Sequence, residues 1–117
     1  MDKKDFIPYC PTATVISLLN SKWKVLILSH LYMRSWRFNE LKRDLPGISQ
    51  KVLTDSLRSL EADGLIRRIV LSETLPKVEY SLSELGLSMV PMARAMHEWG
   101  VYYMNQMGIN PNSDEQA

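Results

Sequence analysis

Residues 46–68, PGISQKVLTDSLRSLEADGLIRR, decide how the rest of the chain is read. Ser49 stands where a helix N-cap belongs, with Ile48 and Leu53 at the two places of a hydrophobic staple. Val52, Leu53, Leu57 and Leu60 form an apolar stripe. Gln50, Thr54 and Arg58, spaced by four, line the opposite side, with Lys51 and Asp55 beside them. Gly64 is the expected helix-ending residue of positive φ. After it the period changes. LIRRIVL is rich in β-branched residues, SETLP is a break, and KVEYSL alternates Val78, Tyr80 and Leu82 against Lys77, Glu79 and Ser81. The stretch predicts a helix followed by a β-hairpin with a five-residue loop.

Just upstream, RSWRFNELKRDLPG predicts a shorter helix capped by Asn39, with Phe38, Leu41 and Leu45 inward and Pro46-Gly47 ending it. Two helices joined by a short turn, the second exposing hydrogen-bonding side chains near its start, are the layout of a DNA-reading helix-turn-helix. A hairpin directly after it is a wing. Farther out, Pro11 opens a short helix over PTATVISLLN, in which Val15, Leu18 and Leu19 share a side. Ser21 caps KWKVLILSHLYM, whose Trp23, Leu26, Ile27 and Leu31, widened by Val25 and Leu28, mark the central core helix. Ser83 caps a last helix to about Met107, with Leu85, Met89, Met92, Met96, Trp99 and Tyr103 at alternating spacings of four and three. Pro91 must kink or split that helix. Residues 1–9 read as a flexible arm, 10–107 as the folded domain and 108–117 as a disordered tail. The fold class is mainly α with a small β-hairpin, a winged helix-turn-helix with extra helices at both ends.

The 117 residues suffice for one domain, and apolar and charged residues are present in globular proportions. One Cys excludes an internal disulfide, and with two His a four-ligand zinc site is not expected. No metal or cofactor is called for. No apolar run matches a secretory or membrane segment, so a reducing, cytoplasmic setting is expected. There is no glycine-rich phosphate loop, GxSxG, HExxH or CxxC, which argues against an enzyme. The net charge of +1 hides a gradient: residues 34–58 carry six basic against three acidic side chains, whereas from Glu79 onward Arg94 alone faces five acidic ones.

Every surface helix has a polar face, and the side bearing Ser49, Gln50, Lys51, Thr54, Asp55 and Arg58 could be no more than that. Its place between a helix-turn and a hairpin favours reading of double-stranded DNA. Gln to adenine and Arg to guanine make bidentate contacts in the major groove, each contributing roughly 1–3 kcal/mol of base discrimination. Asp55 either pairs with Lys51 or Arg58 or accepts from a cytosine amino group. Arg67, Arg68 and Lys77 on the wing suit phosphates or the minor groove, and Arg37, Lys42 and Arg43 suit phosphates. A winged-helix module that binds a protein instead of DNA is the alternative, motivated by the near-zero net charge.

The excess of Met89, Met92, Met96, Trp99, Tyr102, Tyr103 and Met107 over what this core needs predicts a surface covered by a second subunit. Cys10, at a helix start, is either a small apolar residue or a thiol switch for an oxidant or electrophile. His30 and His97 read as structural.

Taken together, CP at 10–11, KWKVLIL at 22–28, RFNEL at 37–41, LPGISQKVLTDSLRSLEADGLIRR at 45–68, PKVEYSLSELG at 76–86 and EWG at 98–100 resemble the HxlR-type family of bacterial winged helix-turn-helix regulators, in the MarR-like group. The resemblance spans almost the whole chain, in order and with matching spacing. It implies a homodimer whose N-terminal helix, with Val15, Leu18 and Leu19, and C-terminal helix pack across a two-fold axis. It also implies a recognition helix over Ser49 to Ala62, a wing over Leu65 to Leu82 and, in some members, thiol sensing at the position of Cys10. Trp36 departs from the family pattern, which usually has a small or turn-forming residue there.

Overall fold

Two serines start the two helices around which the chain packs. The Ser21 hydroxyl accepts the Trp23 N–H at 3.0 Å and the Ser49 hydroxyl accepts the Val52 N–H at 3.0 Å. Each satisfies a donor that a helix start leaves without a partner. The computed structural model describes residues 10–72, 74 and 77–110, so the arm at 1–9 and the tail from 111 lie outside the described residues. In chain order the elements are α1 (Pro11–Leu18), α2 (Lys22–Met33), β1 (Trp36–Arg37), α3 (Phe38–Asp44), α4 (Gln50–Ala62), β2 (Ile66–Val70), β3 (Val78–Leu82), α5 (Glu84–Leu87) and α6 (Val90–Met107). They fall into two compact units, one ending at Leu87 and one beginning at Ser88. The architecture is a winged helix-turn-helix, mainly helical with one small antiparallel sheet.

In the first unit the core is built from Ile27 and Leu31 of α2, Leu41 of α3, Leu45 and Ile48 of the turn, Leu53, Leu57 and Leu60 of α4, and Leu65 and Ile66 at the start of the wing, all buried. Gly64, at φ 81°, ends α4, and Gly47, at φ 89°, lies in the turn from Leu45 to Ile48 after α3, whose C-cap is Leu45; both are in the left-handed region that glycine enters without steric penalty. On α4 the expected stripe is corrected at one position. Leu53, Ser56, Leu57 and Leu60 follow the helical period, and Ser56 is 7 % exposed where Val52 is 37 % exposed. Val52 lies one residue step round the helix from Leu53, on the side away from Leu57, and so leaves the core. On α2, Ile27 takes the centre of the stripe and Leu26 is exposed.

The sheet has three strands, in the order β1-β3-β2, where the sequence predicted a hairpin of two. β2 and β3 pair antiparallel from Ile66↔Leu82 to Val70↔Val78, and the Leu71 N–H donates to the Lys77 carbonyl at 2.7 Å; the expected five-residue loop falls partly outside the described residues. On the other edge Trp36 pairs with Tyr80 and Arg37 with Glu79. Because this strand runs straight into α3, the cap is Arg37 and not Asn39. The Glu40 carboxylate accepts the Arg37 N–H at 3.0 Å.

Trp36, the residue at which the resemblance put the turn geometry in doubt, is packed into the first unit. It is 8 % exposed, its Nε1 donates to the His30 carbonyl at 2.7 Å, and the Arg34 guanidinium lies over its ring at 3.6 Å. The residue anchors the third strand to the end of α2.

The last helix, which Pro91 was expected to kink or split, is two helices. Ser83 caps α5, accepting the Gly86 N–H at 3.0 Å, and the chain breaks at Ser88-Met89 before α6. Pro91 therefore sits in the first turn of α6, where no helical hydrogen bond is lost. Likewise α1 stops at Leu18, two residues short of the expected end, with Leu19 as its C-cap.

Candidate nucleic-acid interface

α4 presents its solvent side through the hydrophobic face just described. Gln50, Lys51, Asp55 and Arg58 are exposed and Thr54 is half-buried. Ser49, also exposed, uses its hydroxyl as the helix cap. Lys51 donates to Asp55 at 2.7 Å, which settles the partner of that carboxylate. Both side chains of this i,i+4 pair are well exposed, so it contributes little and can open toward another anion. Among the described residues Gln50 and Arg58 form no side-chain hydrogen bond or ion pair.

On α3, Lys42 and Arg43 are exposed in the last turn. Arg37, on β1, lies on the outward face of the sheet beside Glu79. The two wing arginines point to opposite faces, as neighbours on a strand must: Arg67 opposite Ser81 and Arg68 opposite Tyr80. Lys77 is exposed at the base of the wing loop. The Arg37 N–H, and then the Arg34 guanidinium at 3.3 Å, hold the Glu40 carboxyl below its ordinary range, so it stays an anion at the start of α3.

Two contacts that hold this unit together had no local signal. Lys24 of α2 donates to the Ser59 hydroxyl of α4 at 2.8 Å, and His30 of α2 meets Asp44 of α3 at 2.7 Å. The partners are separated by 35 and 14 positions, and no periodicity links them.

In the second unit, α6 carries Met96, Trp99, Tyr102, Tyr103 and Met107 as exposed side chains, and Met92 half-buried. Trp99 is 63 % exposed and stacks on Tyr103 with centroids 5.4 Å apart. Met89, before the helix, is half-buried, as are Val15, Leu18 and Leu19 on and after α1. Cys10 is an exposed free thiol and the N-cap of α1, where its sulfur accepts the Ala13 N–H at 3.4 Å. Among the described residues no three His, Cys, Asp or Glu side chains are grouped to hold a metal ion, and no helix is long and apolar enough to cross a membrane.

Comparison with known proteins supplies the context. The HxlR-like helix-turn-helix family matches residues 18–108. The HTH-type transcriptional regulator YdeP of Bacillus subtilis is 42 % identical over 98 residues, which are 84 % of this chain and 77 % of that protein. Among solved structures, the HTH-type transcriptional regulator YtcD superposes with a TM-score of 0.77 at 44 % identity, covering 81 % of this chain and 97 % of that one. The redox regulator HypR in its reduced form gives 0.78 at 39 % identity, covering 84 % of this chain and 97 % of that one. These relatives are transcription regulators and not enzymes.

Proposed function

The chain belongs to the HxlR-like helix-turn-helix family and is a transcription regulator of that type, and we propose that it works as a homodimer reading an inverted-repeat operator in double-stranded DNA. Residues 10–107 act as the winged helix-turn-helix with its dimerisation helices, in the cytoplasm. The observation that carries this reading is the exposed face of α4, with Gln50 and Arg58 unengaged by the other described residues. Placed in a major groove, those two side chains read base edges, and Lys51 and Thr54 contact bases or flanking phosphates. Arg37, Lys42 and Arg43 contact the backbone beside α3, and Arg67, Arg68 and Lys77 contact it from the wing. A second copy covers the exposed aromatic and methionine side chains of α6 in the second unit and, in the first, Val15, Leu18 and Leu19. Two-fold symmetry sets the half-sites about one helical turn, roughly 34–36 Å, apart.

Selection of bound sequences from a random duplex pool, with the parent and with Gln50→Ala/Arg58→Ala in parallel, tests the reading. A palindromic motif enriched by the parent and blurred in the variant is expected. No enrichment at low salt would instead favour a protein-binding winged helix. With the selected operator, Arg58→Ala should lose roughly 1–3 kcal/mol of base discrimination. Lys77→Ala should weaken binding to all sequences and reduce the slope of log affinity against log salt by about one. Equal salt slopes and equal motifs in parent and variants would put the interface elsewhere.

A second reading rests on Cys10, exposed at the N-cap of α1, and on the likeness to HypR, a redox regulator solved in reduced and oxidised forms. Here a thiol-reactive compound releases the operator through Cys10. Treatment with diamide or a quinone should release the parent and leave Cys10→Ser bound, as read by gel shift; release of both to the same extent would remove Cys10 from regulation.

A further inference from the structure

One helix, α2, holds both members of the helix-turn-helix through polar side chains, and one of the two holds requires a proton. Lys24 reaches α4 through Ser59 at 2.8 Å. His30, in the last turn of α2, reaches Asp44, the last residue of α3, with Nε2 2.7 Å from Oδ2. Its other ring nitrogen, Nδ1, lies 2.8 Å from the Leu26 carbonyl oxygen. A carbonyl oxygen only accepts, so Nδ1 must carry a hydrogen. A neutral imidazole has no second hydrogen, and an ionised carboxylate has none to offer. That combination would set two lone pairs against each other at 2.7 Å. Both contacts are satisfied together only when the His30–Asp44 pair holds one additional proton, whichever of the two groups carries it.

The surroundings fix the ring for this task. Trp36 lies edge-on to the imidazole with centroids 5.0 Å apart, and its Nε1 donates to the His30 carbonyl. The charged and titratable groups on the elements around the ring are Lys22, Lys24 and Tyr32 on α2 and Arg34 after it, Arg37 on β1, Glu40, Lys42, Arg43 and Asp44 on α3, and Glu79 and Tyr80 on β3. Of these, Asp44 makes the direct contact, and Arg34 is engaged by Glu40 at 3.3 Å. When the additional proton is lost, Asp44 is left as an uncompensated anion at the negative end of the α3 dipole. The five residues after Asp44 are the turn that leads into α4.

We propose that His30 is a positioning residue of the DNA-reading unit: with its additional proton the pair clamps the end of α3 to α2, and without it the turn that aims α4 loosens, so operator affinity falls as pH rises. The proposal rests on the reading that α4 contacts DNA.

The test is operator affinity of the full chain at constant salt from about pH 5.5 to 8, within the range where histidines change charge. The parent is expected to bind at least about fivefold more weakly at the upper end, a coupling of ordinary size. His30→Gln, which cannot satisfy both acceptors, should bind weakly throughout with a flat profile. Asp44→Asn is the informative variant. Its carboxamide donates to an unprotonated Nε2, so the clamp needs no additional proton and tight binding should persist to the upper end. His97→Gln, which replaces the other histidine of the chain, should keep the slope of the parent. A slope retained in both His30→Gln and Asp44→Asn, or a parent with no slope, overturns the proposal. Parent ring nitrogen shifts that show no change of protonation at His30 or Asp44 across the same range overturn it as well. If the parent enriches no duplex at any pH, the DNA reading itself fails; a selected operator bound alike by parent and His30→Gln at every pH removes only the clamp.

Discussion

Gly86→Ala should lower the unfolding midpoint by roughly 12 °C or more, the equivalent of about 3 kcal/mol. Gly86 is buried in α5, and a methyl group built on it falls on the Leu65 carbonyl oxygen, far inside the 3.0 Å limit of real contacts. That carbonyl cannot simply turn aside, because it accepts the Ser83 N–H at 3.1 Å. The Ser83 hydroxyl in turn donates to the Gly64 carbonyl at 2.6 Å and accepts the Gly86 N–H, so α5 is stapled to the strand start by the very atoms the methyl would displace. The Leu82 side chain, 3.2 Å from the same point, can move, but backbone on the other side cannot. Thermal unfolding followed by far-ultraviolet circular dichroism reads the effect. A loss below about 4 °C, or under roughly 1 kcal/mol, would mean that α5 slides away without strain.

Trp36→Ala is expected to destabilise by about 3–5 kcal/mol, the range for deleting a buried aromatic side chain. The indole fills the space between the end of α2 and the sheet, and its removal withdraws the donor to His30, the edge contact with the imidazole and the platform under Arg34. Trp36→Phe separates these effects: it keeps a ring and loses the N–H, for which about 1 kcal/mol is expected. Urea unfolding midpoints at constant slope give both numbers. Equal, small losses in the two variants would show that β1 is not held by this side chain.

Trp36 also shows why part of the structure was not legible. A tryptophan in MRSWRF has no local pattern to place it, and its burial depends on Tyr80 in a strand 44 positions later. The same holds for the clamp residues. His30, Asp44, Lys24 and Ser59 look like ordinary polar positions until the helices are packed. On α4 the error was of another kind. Val52 and Ser56, four residues apart, share one edge of the stripe, and periodicity cannot say how far round the helix the core reaches: it covers Ser56, nearer Leu53 and Leu60, and stops short of Val52.

By itself the sequence determined the elements whose signals are local. Ser21, Ser49 and Ser83 cap helices, Gly64 ends one, Gly47 makes the turn after another, and the alternation in KVEYSL makes the wing strand, because each depends on neighbours within about one turn of chain. The family was legible in another way, through the resemblance of whole motifs such as LPGISQKVLTDSLRSLEADGLIRR and PKVEYSLSELG, and the match over residues 18–108 bears it out. Tertiary structure alone decided the third strand, the placing of Val52 in solvent, the choice of a break over a kink between α5 and α6, and the two polar holds from α2. These depend on which surfaces meet, and a meeting between residues distant in the chain leaves no trace in the spacing of either.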